Sequence, residues 1–137
     1  MSRLKRVRAP LAAGGATLAG CALLALVDPN TPGRYPTCPT KLLTGLDCPF
    51  CGGLRCVRAL VSGDLGAAAD HNLLVVLLAP VAMVAWLVWL ASRWTDRPMP
   101  TIPVPPRLVL WSSVALVVAW SVLRNLPVGA YLGSGLA

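Results

Sequence analysis

Three stretches without a single charged side chain constrain this chain more than any other feature: residues 11–27, 73–91 and 108–123, of 17, 19 and 16 residues. A bilayer core about 30 Å thick asks for about 20 helical residues. The first two stretches meet that demand, and the third approaches it. Charged residues make up only 12% of the chain and apolar residues 56%, against about 25% charged in a soluble domain. The expected fold class is therefore all-α integral membrane. It has three transmembrane helices, and its polar residues are confined to the flanks and to one segment, 28–72.

The basic residues set an orientation. The chain has ten Arg, two Lys, five Asp and no Glu, for a net charge of +7. Arg3, Lys5, Arg6 and Arg8 precede the first stretch, and Arg93, Arg97 and Arg107 lie between the second and third. The only acid in these two flanks is Asp96. Segment 28–72 balances Arg34, Lys41, Arg55 and Arg58 against Asp28, Asp47, Asp64 and Asp70. The positive-inside rule then places residues 1–10 and the loop 92–107 in the cytoplasm. Segment 28–72 and the tail 124–137 fall outside. The basic residues border apolar runs rather than forming a patch interleaved with aromatics, so nucleic acid is not an expected partner. The lipid bilayer is.

Local signals refine the spans. Asp28-Pro29-Asn30-Thr31-Pro32-Gly33 ends the first. Trp86, Trp89, Trp94 and Trp111 sit where an interfacial aromatic belt would. Pro80 predicts a kink in the second span. The third is expected to recruit residues 126–132 across Arg124, whose head would snorkel to the interface, although Pro127 disfavours a regular helix there. Ala12, Ala13, Gly14, Gly15, Ala16, Ala19 and Gly20 favour close helix–helix approach. Leu18-Ala19-Gly20-Cys21 matches a lipobox, but the chain stays apolar after Cys21, so a cysteine buried at a helix contact is the expectation. No small-residue cleavage site precedes Asp28, so the first span is read as retained rather than removed as a signal peptide.

Four of the five cysteines fall between Cys38 and Cys56 in the polar segment. Residues 35–47 read as loop. Leu54, Val57, Leu60 and Val61 share one face of a short helix, with Arg55 and Arg58 on another. Ser62-Gly63-Asp64 breaks it, and Asp64 caps a second short helix, 65–71. This is an amphipathic, cysteine-containing helical hairpin between the first and second spans.

The cysteines admit three chemistries. In an oxidising compartment they pair, and Cys38, Cys48, Cys51 and Cys56 allow three connectivities. A bridge closing a loop of this size contributes up to about 3 kcal/mol. This clamp is the leading expectation, with no cofactor and no catalytic residue. Zinc is the alternative, held by Cys38, Cys48, Cys51 and either Cys56 or His71. A thiol oxidoreductase is the leading enzymatic alternative, with a thiolate at Cys51 favoured by a helix N-terminus and Arg55. Phosphate loops, dinucleotide fingerprints, paired carboxylates and ionisable residues inside the spans are all missing from the sequence, so neither a small-molecule substrate nor transport is expected. The loop with Pro98, Pro100, Pro103, Pro105 and Pro106 reads as a stiff linker.

Cys38-Pro39, Thr44-Gly45, Cys48-Pro49-Phe50-Cys51-Gly52-Gly53-Leu54-Arg55, Gly63-Asp64 and Asn72 together resemble the small bacterial membrane proteins grouped as domain of unknown function 2752. Their pattern runs CP, LTG, CPxCGxTR, GD and NP. Phe50, Leu54 and Leu73 replace the family's usual Gly, Thr and Pro, and Cys56 is additional. The resemblance implies a multi-span protein of the bacterial plasma membrane with the cysteine motif between spans, and it supplies no activity. The expected function is a non-catalytic accessory or assembly subunit, with other membrane-protein subunits as partners and a respiratory or other large assembly as host.

Overall fold

A computed structural model describes residues 3–31, 33–36, 38–100 and 103–127. Five helices follow in order: α1 Arg3–Leu26, α2 Pro39–Thr44, α3 Gly53–Val61, α4 Leu65–Thr95 and α5 Pro106–Asn125. Among the described residues there is no strand. Helices α1, α4 and α5 are long and apolar enough to cross a membrane. The cysteine segment lies between the first two of them, as the sequence leads one to expect. Large apolar side chains such as Leu77, Val81, Leu108, Trp111 and Leu116 are exposed on these helices. A water-facing surface of that extent is untenable for a monomer, and lipid is its natural cover.

The helices outrun the apolar stretches. Helix α1 starts at Arg3 and carries the basic flank as part of the helix. Helix α5 begins with Pro106 in its first turn, where the missing N–H costs nothing, and ends at Asn125. Residue 126, expected to extend the third span, is already extended backbone. Residues 128–132 lie outside the described residues, as does Pro32 of the breaker cluster.

Helix α1 runs antiparallel to α4. Arg6 near the start of α1 pairs with Asp96 just past the end of α4. Trp86 donates its indole N–H to the Pro10 carbonyl at 2.9 Å and lies over Gly14, where an added Cβ would sit 2.7 Å from the ring. Trp86 is thus a packing residue as well as a candidate for the interface. Both basic flanks consequently lie at one end of the molecule, with the cysteine segment at the other.

Helix α4 is two helices joined at Asn72, whose φ of −164° and ψ of 93° are not helical. The first part, from Leu65, packs against α3 around Cys56, Ala59 and Ala68 and completes the expected hairpin. The second part is the membrane-crossing rod. No departure from helical backbone angles occurs at Pro80, where a kink is expected; the break falls at Asn72. The rod begins where the Asn72 side chain accepts from Val75 N–H at 3.2 Å, an N-cap in the middle of what otherwise reads as one helix.

Candidate functional site

The site is built on α2, which the sequence conceals. Six residues are too few to show a helical period, and two prolines flank the region. Pro39 occupies the first turn, and Gly45 closes the helix with φ 73° and its N–H on the Lys41 carbonyl at 2.9 Å. The Thr44 hydroxyl returns to the Thr40 carbonyl at 2.7 Å and accepts from Leu46 N–H at 3.2 Å. Lys41 and Asp47 pair at 3.1 Å across this turn. The short helix therefore folds back and presents Cys38 to the loop that carries Cys48 and Cys51.

The Sγ atoms of Cys38, Cys48 and Cys51 all lie within 4.8 Å of one another. Cys38 and Cys48 are 3.4 Å apart, and Cys48 and Cys51 are 3.1 Å apart. A disulfide needs about 2.05 Å. All five cysteines are free thiols, so the expected disulfide clamp is not the state of this structure. Cys56 does not belong to the group. It is fully buried between α3 and α4, and its thiol points to the Asn72 carbonyl at 3.5 Å. His71 is not in the group either; its backbone carbonyl serves Arg124 instead. The structure thus brings neither candidate for a fourth zinc ligand into the sulfur group.

The acidities of Cys38 and Cys51 are shifted in opposite directions. The backbone N–H of Lys41, followed by the Cys48 thiol, lowers Cys38 to about 7. Burial, followed by the neighbouring Cys48 thiol, pushes Cys51 up to about 12. Burial also raises Cys56. Burial thus disfavours the thiolate that the oxidoreductase alternative places at Cys51: Cys51 is only 4% exposed, and desolvation outweighs the helix end beside it. Cys38, half-buried at the rim, ionises before Cys51.

Three side chains hold the loop from behind. Gly52 turns it with φ 77°, and a Cβ there would lie 2.5 Å from the His71 carbonyl oxygen; only glycine fits. Asn72, with no exposed surface, donates to the carbonyls of Pro49 and Cys51 at 3.0 and 3.1 Å while capping the rod of α4. Arg124, 3% exposed at the end of α5, donates to the carbonyls of Cys48 at 3.2 Å, Cys51 at 3.0 Å and His71 at 3.4 Å. It also stacks 5.7 Å from the Trp120 ring. Asn125 pairs with the Asp47 backbone both ways, accepting its N–H and donating to its carbonyl, each at 2.9 Å. Arg124 is therefore no snorkelling side chain. It is a buried cation in a cage of carbonyls, and its sequence signal is an arginine followed by an amide at the end of an apolar run.

In front of the sulfurs lies a cleft of about 580 Å³, lined in part by Tyr35, Cys38, Cys48, Phe50, Cys51 and Arg55. Arg55 reaches this cleft rather than the cage. Gly63 carries φ 79°, and Asp64 accepts from Ala67 N–H at 2.9 Å, capping the first part of α4 as expected.

This geometry gives the thiols, Gly52, Asp64 and Asn72 physical tasks, and a family match covers that part of the site. Residues 38–86 match the family described as protein of unknown function DUF2752. No curated protein and no solved structure matches the chain. The matched region holds the three thiols, the Gly52 turn and the Asn72 cap, and stops short of Arg124 and Asn125. The family's usual Pro after Asn72 falls on the first position of the rod, where proline is tolerated best; Leu73 takes that place here.

Proposed function

We propose that this protein is a small multi-pass membrane protein whose function is to bind a soft or borderline metal ion, zinc first, at Cys38, Cys48 and Cys51. The observation that carries this reading is the convergence of three thiol sulfurs within 4.8 Å. Tetrahedral zinc with Zn–S bonds of about 2.3 Å sets its sulfurs about 3.8 Å apart. The pairs at 3.1 and 3.4 Å need to open by less than about 1 Å to reach that spacing. Soft thiolate donors select zinc or copper(I) over calcium and magnesium. The metal would make the three thiolates permanent and offset the cost of ionising Cys51. The role is binding rather than catalysis.

The orientation we propose has the basic ends of α1 and α4 in the cytoplasm and the thiol centre outside the plasma membrane. Metal analysis of protein purified under reducing conditions, with mass mapping of each cysteine, tests the reading. One ion per chain with Cys38, Cys48 and Cys51 protected from alkylation is expected. Cysteines fully locked as disulfides, with no metal, would overturn it.

A second reading, that the chain is an accessory subunit of a larger membrane assembly such as a respiratory complex, has its own support. Gly15 and Gly20 on α1 have open space where a side chain would lie, and helix α5 touches the other helices little apart from its end at the loop. Such surfaces suit further helices. Recovery from mild detergent as a lone monomer would count against it.

A further inference from the structure

Three thiols leave a four-coordinate ion one ligand short. Structural zinc sites close that position with protein, whereas functional sites leave it open. We infer that the fourth position here is open to the cleft and is filled by a small anionic thiol, an inference that rests on the metal reading above.

Three observations converge on it. First, among the described residues the candidate protein donors are engaged elsewhere. The Cys56 thiol faces the Asn72 carbonyl, and the Asp47 carboxylate pairs with Lys41. His71 is outside the sulfur group. Second, all three sulfur residues line the same cleft, and its volume of about 580 Å³ suits a small molecule. Third, among the described residues the lining is neutral or aromatic apart from the thiols and Arg55, the one of them with a fixed positive charge.

The donor set and the charge together define the ligand class. A sulfur donor matches the softness of a three-thiolate centre. Carboxylates on the same molecule match a guanidinium, which holds them by charge-assisted bonds. As the incoming sulfur bonds to the metal, its proton leaves to solvent. No electron is transferred, and no oxidant is required.

The test uses the full chain, reduced and in detergent micelles, loaded with Cd²⁺. The ultraviolet charge-transfer band of Cd²⁺ bound to sulfur grows with the number of thiolates. The starting band reports the metal reading alone, and its absence removes both proposals. With that band present, mercaptosuccinate is expected to raise it by about one third, from three sulfur donors to four. Cysteamine, a thiol of opposite charge, is expected to bind about tenfold more weakly. Arg55→Gln should keep the starting band and lose the preference, and Arg55→Lys should restore part of it. A starting band that mercaptosuccinate leaves unchanged overturns the open position while the metal reading stands. An equal response to the two thiols overturns the role of Arg55. A starting band diminished by Cys56→Ala or His71→Gln also overturns the inference, because the fourth ligand would then come from the chain.

Discussion

The two ends of this molecule obey different rules. Along the outward faces of the membrane rods, away from the Trp86–Gly14 contact, position hardly matters: apolar side chains face outward, and one leucine serves as well as another. At the thiol end, nearly every residue has one partner. Gly52 fits because a Cβ would strike the His71 carbonyl, and Arg124 is held by carbonyls from two separate segments. The rods are specified by composition and the site by geometry. A substitution should therefore be cheap in one region and costly in the other.

The largest contrast lies within the thiol end itself. With Cys38 lowered to about 7 and Cys51 raised to about 12, two cysteines of one cluster differ greatly in thiolate content. Alkylation of the reduced, metal-free protein with iodoacetamide, followed by mass mapping, should modify Cys38 more than about 100-fold faster than Cys51 at pH 7. The sign follows from the shifts. The rate at Cys38 climbs as pH rises through about 7 and then levels, while Cys51 stays protonated and slow throughout that range. Equal rates would erase the distinction.

Next comes Arg124→Leu. It leaves the Cys48 and Cys51 carbonyls without a buried cation and releases α5 from the loop, at a cost of about 3–5 kcal/mol. Denaturant unfolding in detergent, followed by tryptophan fluorescence, measures it; a loss below about 1 kcal/mol would mean that the cage is ornamental. Gly52→Ala combines a strained backbone with a clash against backbone, for about 2–3 kcal/mol by the same measurement. Asp64→Ala removes one helix cap and about 1 kcal/mol. The smallest effect is expected at the exposed Leu116 on α5, where Ala should change stability by less than about 0.5 kcal/mol. If Leu116→Ala costs as much as Gly52→Ala, the division between the two regions fails.

The same division explains what was legible beforehand. The spans, the α3 helix and the Asp64 cap all leave local marks: apolar runs, helical spacing and turn residues; the break at Asn72 leaves none, and the proline that suggests a kink lies elsewhere. Helix α2 leaves none, since six residues complete fewer than two turns. The carbonyl cage is invisible for another reason. Arg124 and the loop it holds are more than 70 residues apart in the chain, and periodicity carries no information at that range. The environment of Cys51 is hidden for a similar reason: a helix N-terminus is a local signal, while the burial that opposes a thiolate there is a property of the folded whole.

The Arg124 cage also has a consequence for how the protein is made. The thiol loop is synthesised well before the helix that completes it. Until α5 has entered the bilayer, the carbonyls of Cys48, Cys51 and His71 have no guanidinium to accept from. The loop is then held by Asn72 and its own turns alone. Insertion of the last span thus acts as the closing stitch of a site assembled on the far side of the chain. A protein that fails at that final step would carry its cysteines exposed and marked as unfinished.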